Sequence, residues 1–147
     1  LRLFGKDLLQ SVFISRFTLF SATVAFLFWG GWAFYVNYTS AATGNASPLL
    51  SGLTQGIGSF TITLIMVHVV GCLYFRIPGH PARLFLPTVI TIGSSGLVLA
   101  LSHLVIGTKS ILATIIPSLS VGVVFNLLIT FKLWRDEIRD NHQNPSD

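Results

Sequence analysis

The sequence predicts an all-α integral membrane protein: a four-helix bundle with both termini cytoplasmic, preceded by an N-terminal interfacial amphipathic helix. Three observations carry this. The 147 residues are 52% hydrophobic and only 10% charged, with a mean hydropathy of +0.74, whereas soluble domains carry roughly 25% charged residues. No Asp or Glu stands between Asp7 and Asp136, which leaves too little charge for a water-facing surface and excludes a soluble enzyme. Four apolar runs of roughly 20 residues or more are each long enough, at about 1.5 Å per residue, to cross a hydrocarbon core of ~30 Å. A transmembrane β-barrel would instead show short alternating segments.

The elements divide the chain into an interfacial segment over 1–16, a four-span domain over 17–135 and a polar cytoplasmic tail over 136–147. Within Leu1–Ile14, Leu1, Phe4, Leu8, Leu9 and Val12 share one helical face, with Arg2, Lys6 and Gln10 opposite. Such a helix lies along a membrane surface. The first span covers about Phe17–Tyr38, and Trp29, Trp32, Tyr35 and Tyr38 collect towards its far end, where amphipathic rings favour the headgroup zone. The second span covers about Leu49–Phe75, the third Leu84–Ile106 and the fourth Ile111–Leu133. Tyr74 and Trp134 are expected in the headgroup zone of the opposite side. The fourth helix is expected to fray in the polar stretch that follows it.

Loop charge sets the orientation. The N-terminal segment carries Arg2, Lys6 and Arg16, the second loop carries Arg76 and Arg83, and the tail carries Lys132, Arg135 and Arg139. The loop from Asn37 to Pro48 is uncharged. The positive-inside rule therefore places both termini and the second loop in the cytoplasm, most simply across a bacterial inner membrane. The net charge of +4 belongs to membrane boundaries and does not signal nucleic acid. Cys72 is the single cysteine. It excludes an intrachain disulfide and is expected to be a small buried apolar residue. The sequons at Asn37 and Asn45 are expected to stay unmodified, the first because it hugs the membrane and the second because Pro48 follows it.

Polar residues inside the spans cluster by face. Gly52, Gln55, Gly56, Ser59 and Thr63 lie on one side of the second span; Thr88, Thr91, Ser95 and Ser102 on one side of the third; Thr114, Ser118, Gly122, Asn126 and Thr130 on one side of the fourth. The economical arrangement turns these faces towards one another. Gly52, Gly56, Ser59, Ser118 and Gly122 are then helix-packing residues, because small side chains let backbones approach in a membrane. Gln55, His68 and Asn126 are candidates for a polar path or ligand contact, since a polar group in hydrocarbon is costly without partners. For His68 the plainer reading is a neutral imidazole bonded to a neighbouring helix. His103, near the end of the third span, is expected to face water. Pro117 is expected to bend the fourth helix and free a carbonyl near Ala113. The two hairpins look alike in design, each opening with an arginine-bearing edge and closing with a small-residue-rich helix and a basic residue. Such repeats are common in small transport proteins.

No membrane-embedded acid, catalytic triad, metal-binding His-Glu-x-x-His or phosphate-binding glycine loop is apparent. The expectation is a non-enzymatic protein with no cofactor and no metal. On these residues alone it is an accessory or structural subunit, whose partners are the lipid bilayer and other membrane subunits or copies of itself.

Arg16-Phe17 at the first edge, together with the run Val123-Val124-Phe125-Asn126-Leu127-Leu128 leading to Phe131-Lys132-Leu133-Trp134, resembles the GtrA-like family of small four-span bacterial membrane proteins. The second span departs from that pattern, with Thr61 or Thr63 where a matching Asn would stand. The resemblance implies movement or handling of polyprenyl-phosphate-linked sugars. Arg76, Arg83 and Lys132 would then meet the phosphate, while Gln55, Ser59 and Asn126 would line the route.

Overall fold

The computed structural model describes residues 16–77 and 81–143, with the side chains of Phe17 and 140–143 left aside. The expected amphipathic helix over Leu1–Ile14 lies outside the described residues. Four helices, α1 (Arg16–Thr39), α2 (Pro48–Arg76), α3 (Leu86–Ile106) and α4 (Ile111–Gln143), are each long and apolar enough to cross a membrane. A 3₁₀ turn, Pro81–Leu84, precedes α3.

Local chemistry sets the helix boundaries. Ser47 caps α2, its Oγ accepting the Leu50 N–H at 3.2 Å, and Pro48 occupies the first turn, where its missing N–H costs nothing. Pro87 does the same for α3, so the third helix starts at Leu86 and not at Leu84. Gly107 ends α3 in a left-handed conformation (φ 76°), with its N–H turned back to His103 and Leu104 carbonyls, a conformation that favours glycine. The fourth helix does not stop or fray near Leu133. It continues to Gln143, through the good helix formers Lys132, Leu133, Arg135 and Glu137.

The helices pack as two antiparallel hairpins. In α1–α2, backbones touch. A Cβ on Gly52 would stand 2.9 Å from the Gly30 carbonyl oxygen, and one on Gly56 would stand 3.0 Å from the Phe26 carbonyl oxygen and ring. In α3–α4 the close positions meet side-chain tips: Gly96 faces Leu119 Cδ1 at 3.0 Å and Gly122 faces Ile92 Cδ1 at 2.9 Å.

The loops that join α1 to α2 and α3 to α4 clamp the hairpins together. Ala46 N–H donates to the Gly107 carbonyl at 3.1 Å. Asn37 is fully buried: its Nδ2 donates to Ala33 O and Thr114 Oγ1, and its Oδ1 accepts the Ser110 N–H. A sequon asparagine engaged this way is unavailable to a glycan. Pro117 leaves the Ala113 carbonyl without its usual helical donor, and the Trp32 indole N–H fills that place at 3.0 Å. Trp32 thus ties α1 to α4 in addition to sitting among the aromatic rings at that end.

Candidate functional site

The small and polar faces of α2, α3 and α4 do turn inward. Ser51, Gly52, Gln55, Gly56 and Ser59 are buried on α2, Thr88, Thr91 and His103 on α3, and Thr114, Asn126 and Thr130 on α4. Their hydrogen bonds form a chain. Gln55 Nε2 donates to Ser118 Oγ at 2.9 Å and reaches Ser59 Oγ at 3.5 Å. Gln55 Oε1 lies 2.9 Å from His103 Nε2, and His103 Nδ1 lies 2.8 Å from Thr108 Oγ1, which in turn meets Ser51 Oγ at 3.2 Å.

With the Gln55 amide donating to Ser118, its oxygen faces His103 Nε2. That nitrogen therefore carries the proton, and Nδ1 accepts from Thr108. One neutral imidazole satisfies both neighbours. His103 is thus fully buried and central, not facing water as the sequence led us to expect. Its place was legible in the three-to-four-residue spacing of Thr88, Thr91, Ser95, Leu99 and His103, an inward stripe that ends on the imidazole.

The chain leads to a cavity of about 330 Å³. Ser59 and Met66 of α2, Ser95 and Leu99 of α3, and Ser118 and Gly122 of α4 line it. Its rim is formed by Val24 and Phe28 of α1 and by Val121 and Phe125 of α4, all of them exposed. The cavity therefore opens sideways between α1 and α4. The hydrogen bonds that join these two helices, Trp32 to Ala113 and Asn37 to Thr114, lie towards the loop end. Ser21, Ser59, Thr63, Ser95 and Ser118 are hydroxyl residues among mainly apolar walls, a surface that can grip an apolar body and hydrogen-bond to it.

The remaining candidates are scattered. His68 is half-buried farther along α2. Asn126 is fully buried and outside the cavity wall, and both its amide atoms lack a hydrogen-bond partner, as do Thr88 Oγ1 and Thr91 Oγ1. The α3–α4 register, fixed by Ile92 against Gly122 and by Thr130 Oγ1 bonding to Leu84 O at 3.0 Å, sets Thr88 opposite Asn126. The expected bond from Asn126 to another helix is thus not made.

Arg76 and Lys132 are exposed at the end where α2 stops, and Arg83 there pairs with Glu137 at 3.0 Å. Tyr74 is buried and donates to Glu137 at 2.9 Å, so its ring is turned to protein. Cys72 is exposed, not buried, because the inward stripe of α2 runs through Met66, Val70 and Tyr74 and Cys72 falls outside it. Among the described residues, no group of three His, Cys, Asp or Glu side chains could hold a metal ion.

Fold and site together define a polytopic all-α membrane protein, a helix bundle with a buried polar chain that reaches a lateral cavity. No family model, curated protein or solved structure matches the chain.

Proposed function

We propose that this is a non-enzymatic membrane protein that handles a lipid, receiving the lipid's apolar chain in the lateral cavity between α1 and α4. The cavity is the observation that carries the reading. Its volume of about 330 Å³ falls in the ~300–1,000 Å³ range of small-ligand sites. A partner helix, ~10–12 Å across with its side chains, does not fit. A hydrocarbon chain is the ligand the bilayer supplies, and the side opening admits it without passage through water. The GtrA-like resemblance adds a substrate class, polyprenyl-phosphate-linked sugars. Their long apolar chain suits the cavity walls, and their phosphate suits the end bearing Arg76, Arg83 and Lys132.

In this reading the basic end faces the cytoplasm of a bacterial inner membrane, with both termini inside. In a Cys72→Ala background, a cysteine at Ala42 should react with an impermeant reagent from outside while one at Asn144 should not. Equal labelling in intact cells would reverse or refute that orientation.

The test of the cavity is Val121→Trp, which fills the rim from an exposed position. The purified variant should keep its unfolding temperature and lose the lipid that wild type retains in native mass spectrometry. Unchanged lipid retention would remove the reading.

A second reading, an accessory subunit or self-associating protein, draws on Gly31, Gly71 and Gly93. Among the described residues, no atom beyond the glycine's own stretch of helix lies within 4 Å of a Cβ placed at any of them, so another protein's backbone could approach closely there. A stoichiometric protein partner with no retained lipid would favour it.

A further inference from the structure

At the end of the bundle where α2 stops, one carboxylate is held by groups from two other elements. Arg83, in the 3₁₀ turn, places Nη1 3.0 Å from Glu137 Oε1 and Nη2 3.0 Å from Oε2, a two-pronged pair. Tyr74, near the end of α2, donates its hydroxyl to Oε2 at 2.9 Å. The guanidinium lies over the Tyr74 ring, 5.1 Å from its centroid, and Tyr74 is itself buried. Tyr74 is therefore fixed within the bundle, and Arg83 rests against its ring. The anionic half arrives on the part of α4 beyond Leu133.

Three features mark the carboxylate as an occupant of the site more than as a part of it. A guanidinium fork and a hydroxyl converging on two oxygens fit two oxygens of a phosphate as well as those of a carboxylate. Glu137 leaves its surroundings positive: Arg76, Lys132 and Arg135 stand exposed at the same end, while Asp136 is turned to Arg139 on its own helix at 3.6 Å. The pair is also open to exchange, with side-chain exposures of 17% for Arg83 and 38% for Glu137. A phosphate monoester, carrying about −1.5 to −2 charges, makes the same contacts more strongly than a single carboxylate, so it can displace the glutamate.

We infer that Arg83 and Tyr74 form a binding site for a phosphate monoester at the membrane surface, and that Glu137 is its built-in competitor, released when the phosphate enters. The inference rests on the lipid-handling reading, with a lipid whose phosphate is a monoester and not the sugar-linked diester, and adds to it a headgroup site with a self-occluding latch.

The test uses the full chain in neutral detergent, titrated calorimetrically with dihexanoyl phosphatidic acid and, separately, with inorganic phosphate. Glu137→Gln keeps an oxygen for Tyr74 and Arg83 but removes the competing charge. It should bind the short-chain phosphatidic acid about tenfold more tightly than wild type, the scale of one charge-assisted contact. Adding Arg83→Gln should abolish the gain. Should that variant fail to fold, Arg83→Lys, which keeps the charge and loses the fork, should abolish most of it.

Inorganic phosphate binding with the same dependence on Glu137 and Arg83 supports the site and shows that the phosphate group suffices. Binding of the phosphatidic acid alone supports it and shows that the lipid source is required. A Glu137→Gln variant that binds neither more tightly than wild type, or a gain that survives loss of Arg83, would overturn the inference. Lipid retention in Val121→Trp reads the cavity independently, so either proposal can fail without the other.

Discussion

Between α1 and α2, backbone meets backbone. A Cβ at Gly30, Gly52 or Gly56 would stand 2.9–3.0 Å from a backbone carbonyl oxygen of the facing helix. Between α3 and α4, Cβ atoms at the glycines would meet the tips of Leu119 and Ile92, and the buried side chains of Thr88, Thr91 and Asn126 lack hydrogen-bond partners. Dispersion needs contact at van der Waals distance, and in lipid no hydrophobic driving force substitutes for it. The first hairpin therefore has the contacts of a rigid unit, whereas the second can repack. The cavity and the latch both involve the second hairpin: α4 supplies part of the rim of one and carries Glu137 to the other.

The sharpest test of this contrast compares two glycines with the same clearance. A Cβ at Gly52 would stand 2.9 Å from a backbone oxygen, and a Cβ at Gly122 2.9 Å from a side-chain methyl. Gly52→Ala should destabilise by about 1–3 kcal/mol, because a backbone cannot move aside without parting the helices. Gly122→Ala should cost less than about 1 kcal/mol, since Ile92 can change rotamer. Equal losses in detergent unfolding would break the comparison.

A smaller effect is expected at the link between the hairpins. Trp32→Phe removes the donor to the Ala113 carbonyl and should cost ~0.6 kcal/mol, the average for interhelical hydrogen bonds in membranes. Pro117→Ala supplies a backbone N–H for that carbonyl. In its background the Trp32→Phe penalty should shrink towards zero, and a full penalty there would show that Trp32 acts by packing alone.

An effect of the opposite sign, from none to a modest gain, belongs to Asn126. Its amide is buried without partners, so Asn126→Leu removes an unmet desolvation cost and fills similar space. Stability should stay level or rise by up to ~1 kcal/mol. A loss larger than that would mean that the second seam is held by this amide, and so is more like the first than its packing indicates.

Much of the bundle was legible before any coordinates. The spacing of Gly52, Gln55, Gly56 and Ser59 marks the inward face of α2, and Pro117 marks the carbonyl that Trp32 reaches. The site was less legible. Gln55 and Ser118 stood out as polar residues in hydrocarbon, but His103 did not, because a histidine near a helix end has water as an easy alternative. Only the fold back of Thr108, allowed by the left-handed Gly107, and the arrival of Gln55 from α2 give both ring nitrogens partners inside the protein.

What the sequence by itself determined was four helical spans and their approximate places, though α4 runs on past Leu133 to Gln143. A run of apolar residues must satisfy its own backbone in lipid, and only a helix does so within one segment. Which helices press backbone to backbone, where a side opening remains, and which carboxylate meets Arg83 were decided by tertiary structure alone. These depend on pairs far apart in the chain, Gly30 with Gly52, Val24 with Val121, Tyr74 with Glu137. No local spacing encodes the distance between two helices, because it follows from the side chains that each presents to the other.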